Sequence, residues 1–284
     1  MTSAEYHQRL GDLLKSQPGK LYIALSGGID SITLMTVAAR VRKHPVIALH
    51  AVSAAVPELA TQRCRELAVK LDWQLNEIDA REFDNNDYVA NPVNRCYFCK
   101  SSLFDRMLQY DGHAALSELS GTTIATGTNT DDLGDYRPGL IAAQERNVWQ
   151  PYVEVGIDKK TIRSIAELEG LGALAELPAQ PCLSSRVETG IAIDARDLRF
   201  IELVETAITS ITRVGDIRCR ITAEGVAVQL PADSPIFQVE QIKQKASSIV
   251  EEHCLAQQRT FIGFQHYKMG SAFLKKTIAI QPDD

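Results

Sequence analysis

The sequence predicts an α/β protein, a doubly wound domain on a parallel sheet followed by a smaller α+β domain. Three observations carry this. Short unbroken apolar runs recur in the first half, as strands buried on both faces require, and they alternate with segments of helical period. A glycine-bearing turn, Ser26–Ser31, joins the first such run to a helix. After Gly190 the alternation gives way to paired short strands between two long helical segments.

In chain order, Ser3–Lys15 places Tyr6, Leu10, Leu13 and Leu14 at helical spacing, and Pro18-Gly19 stops it. Leu21–Leu25 is the first buried strand, followed by the turn and a helix over Ser31–Arg42. Val46–Val52 reads as the second strand, and Pro57–Leu71 as a helix with proline at its start. The expected inner stripe of that helix is Leu59, Cys64, Leu67 and Leu71. Trp73–Ile78 and Thr122–Ala125 are the next strands, the latter ending in the turn Thr126–Asn129. Lys159–Leu171 is a helix closed by Gly170 and Gly172. The boundary falls within Pro178–Gly190, dividing the chain into residues 1–180 and 181–284. Beyond it come a helix over Asp197–Thr212, strands Ile217–Ile221 and Gly225–Leu230, and a helix over Val239–Glu251. Phe261–Phe264 and Thr277–Ile280 are further candidate strands.

The 284 residues, 45% hydrophobic and 23% charged, suffice for well-buried cores. No apolar run is long enough to span a bilayer, and the start lacks a secretory pattern, so the expected site is cytoplasmic with no membrane partner. There the six cysteines should be reduced, which favours metal binding or catalysis for close pairs. A net charge of −6 argues against a protein that coats nucleic acid. Leu255–Gln281 is locally basic, with Arg259, Lys268, Lys275 and Lys276 and no acid.

Ser26-Gly27-Gly28-Ile29-Asp30-Ser31 lies between a buried strand and a helix. Glycines there let backbone amides approach an anion, and the helix adds the positive end of its dipole. Ser26 and Ser31 offer hydroxyls, and Asp30 could orient the loop or hold magnesium. Asp131, Asp132, Asp135 and Arg137 follow the strand Thr122–Ala125, where parallel sheets place ligands. Acids beside an arginine suit Mg²⁺ and a polyphosphate, and they equally suit a solvated loop.

Cys96 and Cys99 form Cys-x-x-Cys, a spacing open to a metal pair, a redox dithiol or two buried thiols. Cys182 sits in the polar, arginine-flanked Pro181–Arg186. Cys64, Cys219 and Cys254 occupy regular segments and read as core. Arg218 and Arg220 alternate along a strand, so both project from one face, as an anion clamp or a solvated surface would have them.

Ser-Gly-Gly-x-Asp-Ser after a first strand resembles the PP-loop of the ATP pyrophosphatase superfamily; no Gly-Lys-Ser/Thr ends it, so it is not a Walker loop. Together with Asp135-Tyr136-Arg137-Pro138-Gly139 and Cys182-Leu183-Ser184-Ser185-Arg186, it resembles the LarE family of sulfur transferases. Those enzymes make the nickel-pincer nucleotide cofactor. The resemblance runs over most of the chain from about Leu21. It implies that ATP lies over Ser26, Gly27, Gly28, Asp30 and Ser31 with Mg²⁺, and that Lys100 and Arg186 reach its phosphates. It also implies that Asp30 and Cys182 are catalytic, and that a carboxylate of a pyridinium mononucleotide is adenylated before sulfur is installed. Arg218, Arg220 and Glu205 match the residues near the substrate phosphate. One branch of that family sacrifices the cysteine matching Cys182. Another holds a [4Fe-4S] cluster on three cysteines, matching Cys96, Cys99 and Cys182, whose open iron can take an external sulfide. All three are present, which places the chain in the cluster branch. Where single-cysteine members have a further acid this chain has Phe237, with Asp233 displaced. The resemblance also implies a small-molecule substrate, a sulfide donor and a homo-oligomer. Rival readings are a tRNA thiolation enzyme, an amide-forming PP-loop synthetase, and a nucleotide-binding regulator with structural zinc.

Overall fold

The computed structural model describes residues 1–110, 121–134 and 137–267. The expected strand Thr277–Ile280, Asp135 and the lysines of the basic tail lie outside them. The chain divides into two units. One comprises Met1–Tyr88 and Asn94–Pro181, the other Val89–Val93 and Cys182–Asp284.

The first unit opens with α1 (Ser3–Ser16), β1 (Lys20–Ala24), α2 (Ile29–Val41), β2 (Val46–Ala51), α3 (Glu58–Leu71) and β3 (Gln74–Ile78). A short α4 (Asn86–Val89) leads to α5 (Arg95–Leu108), and β4 (Thr122–Ala125) follows. Then come α6 (Pro138–Glu145), α7 (Pro151–Val155) and α8 (Lys159–Leu168). The four strands form an all-parallel sheet in the order β3-β2-β1-β4. Alternate residues of β1 feed two separate cores. Leu21 and Ile23 join α1, α2 and α8 on one face, whereas Tyr22 meets α5 and α6 residues such as Phe104 and Ala142 on the other. This two-sided burial is why β1 reads as an unbroken apolar run.

One local expectation needs correction. Leu59 does not lie on the inner stripe of α3 but is 63% exposed. It precedes Cys64 by five residues, about 140° around the helix, whereas Ala60, Thr61, Cys64, Leu67 and Ala68 form the buried face. The segment with Cys-x-x-Cys, to which the sequence analysis assigns no element, is the fourteen-residue helix α5, with Leu103, Phe104 and Met107 buried.

The second unit contains α9 (Ala195–Thr212), β5 (Arg218–Thr222), β6 (Gly225–Leu230), α10 (Glu240–Ala256) and β7 (Phe261–His266). Its sheet runs β5-β6-β7, with β5 antiparallel and β7 parallel to β6. Val89–Val93 belongs to this unit through backbone bonds. Ile193 N donates to Val89 O and Gly190 N to Asn91 O, while the buried Asn91 amide donates to the Glu188 and Ile191 carbonyls.

Candidate functional site

In the strand order β3-β2-β1-β4 the chain reverses direction across the sheet between β1 and β4. A crevice opens outside the carboxyl ends of strands at such a point. Ser26–Ser31 follows β1 at this place, and Thr126–Asn129 follows β4. Gly27 has φ +76°, and a Cβ there would sit 2.8 Å from Ala60 O. Gly127 is as tightly placed: a Cβ would lie 2.9 Å from both Asp30 C and Ser31 N. Each glycine therefore answers a geometric demand at the loop.

Gly28 is the N-cap of α2 and no side chain caps that helix, so its first turn presents amides and the positive end of the dipole. Both serines also bond within the loop. Ser31 is buried, donates to Gly28 O at 3.0 Å and accepts from Ser26 N at 3.1 Å. Ser26 Oγ accepts from Gly28 N at 3.3 Å. These hydroxyl bonds hold the loop's shape.

Asp30 is fixed at three points. Its carbonyl accepts from the Tyr152 hydroxyl at 3.0 Å, and Gly127 backs its main chain. Its carboxylate receives Lys159 Nζ at 2.7 and 2.6 Å. Burial pushes the Asp30 carboxyl up, against the opposing pull of Lys159. Arg63 on α3 donates to Gly27 O at 2.8 Å. Asp131 Oδ2 accepts from Lys159 N at 3.0 Å, so it serves the amino end of α8. Asp132 accepts from Asn129 N at 3.0 Å and pairs with Arg137 at 2.6 Å. These two acids thus organise the turns around Asp30. Sequence reasoning missed Lys159, Tyr152 and Gly127. The one available signal was Lys159 itself, a cation at the first position of a helix, where the dipole disfavours it.

Cys96 and Cys99 share the first turn of α5, three residues apart and on the same side of the helix. Lys100 follows, its ammonium 5.9 Å from the centroid of Phe104.

In the second unit, Cys182 is the N-cap of a single turn over Leu183–Arg186. Arg186 Nη1 donates to Cys182 O at 3.1 Å, and Arg220 Nη1 to Ser185 O at 2.7 Å. Glu205 on α9 accepts from Arg186 Nε and Nη2 at 3.0 and 3.1 Å, and from Cys219 N at 2.9 Å. Arg186, Arg218 and Arg220 are all buried, which removes the solvated-surface reading of the pair on β5. Arg220 also donates to Gln229 at 3.0 Å, and Arg218 stands 5.6 Å from the Tyr267 ring. Burial, reinforced by the positive charge of Arg186, pulls Arg220 down to about 10. The cluster is cation-rich beside the Cys182 turn. Phe237 packs against His266 with ring centroids 4.4 Å apart.

The six cysteines form no disulfide and fall into two groups. Cys64, Cys219 and Cys254 are buried, and burial raises each thiol, Cys64 to about 12 and Cys254 to about 11. Cys96 is exposed, and Cys99 and Cys182 are partly so. Cys96 and Cys99 belong to the first unit and Cys182 to the second, and each thiol is accessible to a soft metal. Among the described residues, no group of three or more His, Cys, Asp or Glu side chains stands together as a metal site. No helix among them is long and apolar enough to cross a membrane.

The parallel sheet flanked by helices makes the first unit a Rossmann-like α/β domain. No family model matches the chain. The chain is 36% identical over 230 residues to the uncharacterized protein slr1717 of Synechocystis sp., covering 79% of this chain and 80% of that one. It belongs to the same family as that protein. It is also 29% identical over 210 residues to the uncharacterized protein MJ0830 of Methanocaldococcus jannaschii, covering 71% of this chain and 73% of that one.

Proposed function

We propose that this protein is an ATP-dependent sulfur transferase of the LarE kind, which adenylates a substrate carboxylate and exchanges an oxygen for sulfur. The observation that carries the reading is the Ser26–Ser31 loop. It joins a central parallel strand to an uncapped helix at the sheet's reversal point, with Asp30 held at its tip. Loop amides and the α2 dipole suit the phosphates of ATP, and Asp30 suits Mg²⁺ bound to them. A substrate carboxylate oxygen bonds to the α phosphorus as the bond to the bridging oxygen breaks, and pyrophosphate leaves with the electron pair. A sulfur nucleophile then attacks the acyl carbon and AMP departs, giving a thiocarboxylate.

Arg218, with Asp216 at 3.6 Å, and Arg220, beside the Arg186–Glu205 pair, supply positive charge for a substrate phosphate, which favours a small anionic mononucleotide. Cys96, Cys99 and Cys182 are the thiols proposed to hold a [4Fe-4S] cluster, which when bound would carry an external sulfide as the source of the sulfur atom. Oligomer formation belongs to the same reading.

Anaerobic purification with iron, sulfide and zinc analysis, paired with nucleotide product analysis, tests this. The expected result is about four iron and four sulfide per chain, lost on Cys182→Ala, with AMP and pyrophosphate as products. Zinc without iron would overturn the cluster, and ADP with orthophosphate would overturn adenylation.

A further inference from the structure

We propose that Lys159 is a resident counter-ion of the phosphate loop, holding Asp30 while the site is empty and passing to the nucleotide's phosphates when a divalent cation takes the carboxylate. The inference rests on the nucleotide-binding reading above and adds a residue that no motif assigned.

Three features carry it. The ammonium meets both carboxylate oxygens of Asp30, at 2.7 and 2.6 Å, so the carboxylate available to a cation is already neutralised. The pair is partly open to solvent, with side chains 31% and 28% exposed, so a solvated ion can reach and replace the ammonium. Lys159 is also set against its own helix dipole at the first position of α8, and its backbone amide is held by Asp131. A cation in that unfavourable place is kept there by Asp30. Once Asp30 turns to a metal, the released ammonium stands beside a loop, Ser26–Ser31, that carries no cationic side chain of its own. It is then a fourth-carbon tether away from the polyphosphate, where it can neutralise charge as pyrophosphate departs. Without Lys159, Asp30 would repel ATP whenever metal is absent. With it, the site is balanced in both states.

Calorimetric ATP binding tests this by two routes. In the first, Mg²⁺ is varied at fixed ATP. Lys159→Met should lower the Mg²⁺ concentration for half-maximal binding about fivefold or more, because the carboxylate no longer has a competitor; Lys159→Arg, which keeps the ion pair, should leave it near wild type. An unchanged or raised midpoint in Lys159→Met overturns the proposal. In the second, ATP is titrated in EDTA. Asp30→Asn frees the lysine and should tighten metal-free binding severalfold, a gain that disappears in Asp30→Asn/Lys159→Met. A gain that persists in the double variant reports only removed repulsion, and also overturns it. Failure of wild type to bind ATP at any Mg²⁺ concentration would instead sink the nucleotide reading and this inference together. Wild-type binding with a flat Lys159→Met response sinks the inference alone.

Discussion

Glu205 is the carboxylate on which the arginine cluster of the second unit turns. Its two oxygens take Arg186, whose side chain is 5% exposed, and one of them also takes Cys219 N from β5. Glu205→Gln keeps the size and one acceptor but removes the charge, leaving Arg186 buried beside Arg220. Breaking a buried pair costs about 3–5 kcal/mol, and the retained acceptor argues for the lower end, about 3 kcal/mol. At about 1.4 kcal/mol per factor of ten, that is roughly a hundredfold shift in the opening equilibrium. Both tryptophans, Trp73 and Trp149, lie in the first unit, so fluorescence would miss the event. Hydrogen–deuterium exchange of Arg218–Thr222 reads it directly, because exchange of β5 amides follows local opening. Protection should fall about a hundredfold, while that of α2 and β1 stays as in wild type. Millimolar inorganic phosphate should restore part of it, since an oxyanion can stand where the carboxylate stood. Exchange of β5 raised less than about fivefold would refute the claim that Glu205 compensates a buried cationic cluster.

The sorting of the cysteines predicts that brief alkylation of metal-free protein at pH 8 labels Cys96, Cys99 and Cys182 and spares Cys64, Cys219 and Cys254, since the thiolate is the nucleophile. Peptide mass spectrometry checks this, and labelling of Cys64 or Cys219 at a comparable rate would contradict it. His50, buried between Leu25 O at 2.7 Å and Thr61 Oγ1 at 2.9 Å, is held below the usual imidazole range by burial. Its folded form therefore stays neutral where the unfolded chain takes up a proton. The stability it contributes is full above about pH 6.5 and is lost as pH falls from there toward the depressed folded value. Urea unfolding followed by Trp73 between pH 7 and 5 should show a shallower pH slope in His50→Asn, and equal slopes would remove His50 as a cause.

Elements whose evidence is local are legible in the amino-acid order alone. β1 and β2 are legible because burial on both faces leaves no polar residue within the runs Leu21–Ala24 and Ile47–Leu49. The Ser26–Ser31 loop is legible because a tight turn into a helix makes its demands on adjacent residues, and Gly27 meets one of them with its positive φ. The same locality hid what matters most at the site. A periodic pattern reports which face a residue turns inward, and says nothing of which strand lies alongside. The order β3-β2-β1-β4, which sets the crevice at the end of β1, was therefore decided by packing. Lys159 and Asp30 are 129 positions apart, and the grip of Tyr152 on Asp30 spans 122; no window of sequence contains either pair. Val89–Val93 joins the second unit through bonds to residues about a hundred positions later, because buried backbone groups must find partners wherever the fold supplies them. Ser31 shows the same limit at short range. Its type and place in the motif were plain, but only the folded loop turned its hydroxyl inward to Gly28 O.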